Sequence, residues 1–125
     1  RVYTTDACVP ISRLAECIKF TEEKIKEYGL QAPIVGHVGD GNFHCTVLYD
    51  PKKEEEHKII REFSDELINK TLELDGTVTG EHGIGINKKE YLIKQHKDNI
   101  PLMQIIKKNI DPKNIMNPGK VFDIN

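Results

Sequence analysis

A glycine-rich segment between two apolar runs constrains the fold of this chain most strongly. The segment 39–42, Gly-Asp-Gly-Asn, is composed of residues that favour turns and tolerate positive φ angles, and it predicts a hairpin between strands at 34–38 and 43–49. Side chains alternate between the two faces of a strand, so the second strand has one core-facing set and one set facing the opposite side. We assign Phe43, Cys45, Val47 and Tyr49 to the core and His44, Thr46 and Leu48 to a functional face.

Apolar residues at helical spacing predict two helices on either side of this hairpin. Ser12 is placed to cap the first helix, which Gly29 ends, and the acidic run 54–56 suits the first turn of the second helix. The predicted order is strand, helix, strand, strand, helix, strand, over the ranges 2–5, 11–28, 34–38, 43–49, 54–74 and 77–79. This order predicts an α+β fold, a ferredoxin-like two-layer sandwich with an antiparallel sheet and helices on one face.

Additional helices are predicted beyond residue 82. Asn87 and Glu90 have the spacing of a capping box, so a helix should start at about Lys88. A last helix is expected over 102–109, with Leu102, Ile105 and Ile106 facing inward, followed by a turn at 117–120. The whole chain of 125 residues has the size of one domain.

Composition excludes several classes of function. Charged residues form 30% of the chain, the net charge is -2 and no basic patch exists, so we expect no nucleic-acid partner. No apolar run approaches the roughly 20 residues of a transmembrane segment. Cys8, Cys17 and Cys45 include no C-x-x-C pair, which favours free thiols in a reducing compartment, and we expect an intracellular location, cytoplasmic or mitochondrial. Because the chain starts at Arg1 on a strand-like run, we expect it to be part of something larger.

Two glycine-rich segments carry the candidate chemistry. His37 and His44 lie at either end of the predicted hairpin turn, and Glu81 and His82 lie in the second segment, 80–85. Two His and one Glu form a plausible ligand set for a divalent metal, zinc or manganese, with His82 as an acid or base beside it. The alternatives are histidines that only hydrogen-bond around a turn, a Glu81 that is a surface carboxylate, and a His82 that only supports the ligands. In an extended loop Glu81 and His82 would point in opposite directions, whereas Asp40 and Asn42 are expected to form the turn.

Four stretches of the sequence resemble a known family. Residues 5–14, 36–45, 79–85 and 116–121 resemble the C-terminal part of FAD-linked oxidases, the vanillyl-alcohol-oxidase-like flavoproteins, and most of all their cytochrome-type D-lactate dehydrogenase branch. The resemblance implies oxidation of a small D-2-hydroxy acid with hydride transfer to FAD. It also implies an electron acceptor such as cytochrome c or a quinone, and an FAD-binding domain N-terminal to this segment and absent from it.

The resemblance also implies roles for single residues. His37, His44 and Glu81 match metal ligands, and His82 matches the base that takes the hydroxyl proton. Asn117 matches a position near the flavin, and Lys120 is a second candidate for that region. Relatives that oxidise 2-hydroxyglutarate carry a lysine at the position of Thr4 and an amide at that of Thr46, so the resemblance favours D-lactate over a dicarboxylate.

Two alternatives remain open on the sequence. One is a glycolate or other 2-hydroxy-acid oxidase of the same family. The other belongs to a different class, a non-catalytic metal- or ligand-binding module with the same ferredoxin-like fold. The isolated segment itself is expected to be inactive, because the flavin would be bound mainly by the missing domain.

Overall fold

Strand β4 (Asn42–Leu48) organises the sheet in the computed structural model, which describes residues 1–124. β3 (Ile34–His37) pairs antiparallel with one edge of β4. Two short strands, β1 (Val2–Thr4) and β2 (Ala7–Cys8), pair antiparallel with its other edge. β1 and β2 follow the same edge and are separated only at Thr5 and Asp6, where the regular strand is interrupted.

A further contact extends the sheet beyond β2. Thr77 forms an isolated antiparallel bridge with Cys8, so the strand predicted at 77–79 is reduced to a single bridge. Helix α1 (Leu14–Glu27) connects the first edge to β3, and helix α2 (Glu54–Glu73) connects β4 to the bridge. The predicted α+β class is confirmed, and the element order with its antiparallel pairing is that of the ferredoxin-like arrangement.

The hydrophobic core lies between the sheet and the two helices. Phe43, Cys45 and Val47 are at most 1% exposed, as predicted from their alternation in β4. Across from them lie buried side chains of both helices, in particular Leu14, Cys17, Ile60, Phe63 and Leu67. α1 and α2 therefore leave the opposite face of β4 uncovered, and that face carries His44.

Ion pairs add contacts between the helices on the outer side. Lys24 Nζ lies 2.8 Å from Glu66 Oε2, and the Tyr28 hydroxyl donates to Glu66 Oε1 at 3.0 Å. The hydrogen bond from Lys24 holds the pKa of Glu66 below its usual range. Burial raises the pKa of the Cys45 thiol to about 11, so this cysteine is a neutral core residue. All three cysteines are free, as predicted.

The hairpin turn differs in detail from the prediction. Residues Val38–Asp40 form one turn of 3-10 helix, Gly41 adopts a left-handed φ of 74°, and Asn42 is already the first residue of β4. Gly36 is needed for close packing, because a Cβ there would lie 2.4 Å from the Asn42 carbonyl oxygen and 2.6 Å from Phe43 Cα. Gly39, in the same hairpin, has nothing within 4 Å of the corresponding position.

Gly36→Ala should therefore destabilise the sheet that contains β3 and β4 by about 1–3 kcal/mol, the usual cost of overpacking. Gly39→Ala is the matched control, and it should be neutral or stabilising by up to about 1 kcal/mol because it only restricts the unfolded chain. Urea unfolding of both variants checks this pair. Equal destabilisation by the two substitutions would contradict the close contact between β3 and β4.

The predicted helix caps are wrong. A turn of 3-10 helix, Ile11–Arg13, precedes α1, so that Arg13 takes the N-cap position in place of Ser12, without a side-chain cap bond in the described chain. Likewise, α3 (Lys89–His96) has Lys88 at its N-cap and no side-chain cap bond among the described residues, so the predicted capping box is not formed. α1 nevertheless begins two residues after the predicted cap Ser12, and α3 begins one residue after Lys88.

The chain divides into two compact units, of which the first ends at His82 and the second begins at Gly83. The second unit contains α3 and α4 (Ile100–Ile110), and Asp111 is the C-cap of α4. Leu102, Ile105 and Ile106 are 59%, 57% and 50% exposed, so the prediction that they face inward is wrong. Helical spacing places the three residues near one another on the helix surface, but it cannot show whether another element covers them. Within residues 1–124 no helix combines the length and apolarity needed to cross a bilayer.

Candidate metal and catalytic site

The hairpin register places two histidines on the uncovered face of the sheet. His37 is paired with Asn42, and His44 is paired with Val35, so the two histidines are diagonal neighbours across β3 and β4. Their ring centroids are 6.3 Å apart. As the alternation in β4 predicts, His44 lies on the face opposite the core, and the functional role of that face stays a prediction.

Glu81 brings a carboxylate to these histidines from the segment that follows the Thr77 bridge. Its Oε1 lies 2.9 Å from His44 Nε2, and its Oε2 lies 3.6 Å from His37 Nε2. One potential ligand atom from each of the three residues can be chosen so that all lie within 4.8 Å of one another. The structure thus brings together the three residues predicted as a ligand set, and their role as metal ligands stays a prediction.

The hydrogen bonding of His44 determines which of its nitrogens is available. Nδ1 lies 3.0 Å from the Thr5 carbonyl oxygen, which can only accept, so Nδ1 carries a proton. In the neutral imidazole Nε2 then has a free lone pair and faces the Glu81 carboxylate, which is also an acceptor. Nε2 is buried, and it finds no partner with hydrogen-bond geometry in the part of the chain that the structure describes. A divalent metal bound between them would satisfy both acceptors, and the set of two imidazoles and one carboxylate fits such an ion.

His82 lies on the same side as Glu81, which corrects the expectation that the two side chains diverge. Its Nε2 is 3.6 Å from Glu81 Oε1, and its ring centroid is 5.1 Å from that of His44. The reason is local: residues 80–82 form bends and not an extended strand, so adjacent side chains can lie on one side. The His82 side chain is 58% exposed, which leaves the imidazole accessible to a small molecule.

Sequence reasoning missed the residues that support this arrangement. Asp6 is buried and accepts hydrogen bonds from the backbone N–H groups of Gly80, Glu81 and His82. Asn42, expected to be a turn residue, is buried and donates to Asp6 Oδ1 at 3.0 Å and to the Ala7 carbonyl oxygen at 3.1 Å. The available signal was a single carboxylate in an otherwise uncharged strand-like run, 2–9, because a buried charge needs partners.

Asn117 and Lys120 belong to the second unit. Asn117 has a left-handed φ of 48°, and the Lys120 ammonium donates to Asn117 Oδ1 at 3.4 Å, so the predicted turn at 117–120 is formed. Both side chains line an open cavity of about 170 Å³. The contact of Asn117 and Lys120 with a flavin stays a prediction.

Comparison with known protein families decides the family of this chain. The family of FAD linked oxidases, C-terminal domain, matches residues 1–121. The chain belongs to this family. The resemblance inferred from the four sequence stretches is thereby confirmed.

Several curated relatives of this FAD-linked oxidase domain align over almost its whole length. The probable mitochondrial D-lactate dehydrogenase of Danio rerio is 43% identical over 99% of this chain and 25% of its own length. The mitochondrial D-lactate dehydrogenase [cytochrome] of Kluyveromyces lactis is 40% identical over 98% of the chain and 21% of its own length. Glycolate oxidase subunit GlcD of Bacillus subtilis is 40% identical over 94% of the chain and 25% of its own length. The chain therefore spans about a quarter of the length of the relatives it matches.

Proposed function

We propose that this FAD-linked oxidase domain is the substrate- and metal-binding part of an FAD-dependent D-2-hydroxy-acid dehydrogenase that oxidises D-lactate to pyruvate. The convergence of His37, His44 and Glu81 on one point carries the proposal. Two relatives that align over nearly the whole chain are described as D-lactate dehydrogenases, which supports the same reaction.

The chemistry of the three side chains supports a divalent metal, zinc or manganese. Two imidazole nitrogens and one carboxylate oxygen are ligands that both ions accept. The Thr5 carbonyl fixes the His44 ring with Nε2 towards Glu81, an outer-sphere contact of the kind that orients metal-bound histidines. When bound, the ion would supply Lewis-acid stabilisation to the hydroxyl and carboxylate oxygens of a 2-hydroxy acid.

His82 is suited to the role of general base. Its ring lies beside that of His44 and is largely exposed, so a substrate hydroxyl can approach it without displacing the core. In the proposed reaction the His82 imidazole takes the proton of the hydroxyl group, while the hydrogen on C2 leaves as a hydride. FAD, when bound, is the hydride acceptor, and Asn117 and Lys120 are the proposed contacts of this chain with it.

Two residues of the uncovered sheet face favour a small substrate. Thr4 and Thr46 are paired in the register of β1 and β4, and strand alternation places Thr46 on the same face as His44. Neither threonine carries a charge. The family resemblance implies a lysine at the position of Thr4 in relatives that oxidise 2-hydroxyglutarate, so the threonine there favours a monocarboxylate such as D-lactate.

The same face supports a partner domain within the natural protein. Val35, Leu48 and Val2 are 55%, 55% and 54% exposed, and the register of the sheet places them on the face that carries His44. The relatives are about four times longer than this chain. We propose that an N-terminal FAD-binding domain of the natural protein covers this face and brings the flavin to the substrate. An external acceptor such as cytochrome c or a quinone would then reoxidise the flavin, in an intracellular, cytoplasmic or mitochondrial setting.

The natural reading frame that contains this chain should give a yellow protein with bound FAD that oxidises D-lactate. Prolonged dialysis against a chelator should remove at least about nine-tenths of the activity, and Zn²⁺ or Mn²⁺ should restore it, because metal sites of this kind release their ion reversibly. Metal content by mass spectrometry and flavin reduction at 450 nm are the two measurements. Full activity after complete removal of the metal would contradict the proposed role of the ion.

Glycolate is the second candidate substrate. The Bacillus subtilis relative, described as a glycolate oxidase subunit, is 40% identical to the chain, close to the values for the D-lactate dehydrogenases. The two substrates differ by one methyl group, and a pocket contact with one methylene-sized group is worth about 1–3 kcal/mol. We expect a value of kcat/KM about 10–100-fold higher for D-lactate, and a preference for glycolate would replace D-lactate in the proposal.

A further inference from the structure

The buried carboxylate of Asp6 accepts hydrogen bonds from the loop that carries Glu81 and His82. Asp6 Oδ2 lies 2.9 Å from the amide nitrogen of Gly80, 3.2 Å from that of Glu81 and 3.0 Å from that of His82. Three successive N–H groups that converge on one oxygen form an anion-binding nest, and here the anion belongs to the protein itself. The Asp6 side chain is only 1% exposed, so water does not compete for these hydrogen bonds.

The carboxylate is itself fixed in orientation. The Asn42 amide donates to Asp6 Oδ1 at 3.0 Å, and the hydroxyl of Thr79 lies 3.3 Å from Oδ2. Asp6 Oδ1 also lies 3.6 Å from His44 Nδ1, next to the hydrogen bond from that nitrogen to the Thr5 carbonyl. Two adjacent residues at the break between β1 and β2 thus contact both parts of the site: Thr5 holds the His44 ring, and Asp6 holds the loop.

The loop depends on this anchor for its position. Residues 80–82 form bends with no strand or helix of their own. Gly80 allows the loop to approach closely, because a Cβ there would lie 1.8 Å from Asn42 Nδ2 and 2.8 Å from Asp6 Oδ1. A shift of the loop would move the Cα atoms of Glu81 and His82 together, and with them the carboxylate that faces both histidines.

We propose that Asp6 is the positioning residue of the site, which places Glu81 and His82 against His44 through the backbone of the loop. This inference rests on the proposed function, since the loop is placed for metal and substrate binding. Asp6 contacts neither in this proposal, and it acts only through the amide groups that it holds. Outer-sphere partners of this kind are worth about 10–100-fold in metal affinity.

Asp6→Asn in the full natural reading frame tests the inference, because it keeps the size of the side chain and removes the acceptor charge. The affinity for Zn²⁺, measured by competition with a chromogenic chelator, should fall about 10–100-fold. Hydrogen exchange of the amides at 80–82 should accelerate in the metal-free protein, and the visible spectrum of the Co²⁺-loaded protein should change with the ligand geometry. Asp40→Asn is the matched control: it removes the same charge from an exposed position in the hairpin turn, and all three readouts should stay as in the wild type.

Gly80→Ala is the second variant, and it tests the positioning role of Asp6 if Asp6→Asn does not fold. It leaves every charge and every proposed ligand in place, yet it should lower Zn²⁺ affinity in the same direction by displacing the loop from Asp6. A wild-type protein that binds no Zn²⁺ would overturn the proposed metal site. The role of Asp6 alone would be overturned by a different result. In that case the wild type binds Zn²⁺, and the variant that folds has the same Zn²⁺ affinity and the same hydrogen exchange at 80–82.

Discussion

Replacing Glu81 with glutamine should lower the affinity for Zn²⁺ or Mn²⁺ by more than about 100-fold in the protein encoded by the full natural reading frame. Changes to outer-sphere partners already cost about 10–100-fold, and this substitution removes a proposed ligand itself. The glutamine keeps the size of the side chain, but it replaces the carboxylate oxygens that lie 2.9 Å from His44 Nε2 and 3.6 Å from His37 Nε2. Competition with a chelator gives the affinity, and oxidation of D-lactate should be lost in parallel.

Glu62→Gln is the matched control for this variant. Glu62 is a half-exposed residue of α2, and its carboxylate lies 3.9 Å from the Lys58 ammonium. The same chemical change at that position should leave both metal affinity and activity unaltered, because exposed ion pairs contribute about 0–1 kcal/mol to stability. If Glu81→Gln bound the ion as tightly as Glu62→Gln does, Glu81 would be no ligand.

Local signals in the sequence were sufficient to predict the sheet and its two covering helices. Alternation in β4 identified both the buried face, with Phe43, Cys45 and Val47, and the face that carries His44. Strand pairing follows from this pattern, because a shift of one residue would expose the whole apolar set. The fourth strand was overestimated, since in the described part of the chain the short run at 77–79 forms a single bridge, at Thr77. Its β-branched residues favour a strand, but sequence pattern does not report how far a partner strand extends.

The sequence suggested which residues form the candidate site, but it did not show which residues support them. His37, His44, Glu81 and His82 could be selected because histidines in glycine-rich loops are unusual enough to suggest chemistry, and because of the family resemblance. The role of Asp6 in holding the loop could not be assigned from the sequence, because the groups it holds there are backbone amides 74 to 76 residues further along the chain. Backbone donors leave no residue-type signal. For the same reason the expectation that Glu81 and His82 diverge was wrong, since the bends that Asp6 stabilises are not visible in the sequence.

His82→Gln should lower kcat for D-lactate by about 10²–10⁴-fold, the usual contribution of a general base. Glutamine can still hydrogen-bond to a hydroxyl group, but it cannot accept its proton at neutral pH. Metal affinity should change little, because His82 is not among the three clustered ligand residues. Stopped-flow reduction of the flavin isolates the chemical step, and chelator competition measures the affinity of the same preparation.

The contrast between His82→Gln and Glu81→Gln separates the two roles of neighbouring residues. A loss of flavin reduction with the metal retained identifies a proton acceptor, whereas a loss of both identifies a ligand. His57→Gln controls for the substitution itself: His57 is exposed on α2, packs against the Tyr49 ring at 4.9 Å and should leave kcat unchanged. If His82→Gln released the metal as Glu81→Gln does, His82 would belong to the ligand set, and the proton would have to go to another group.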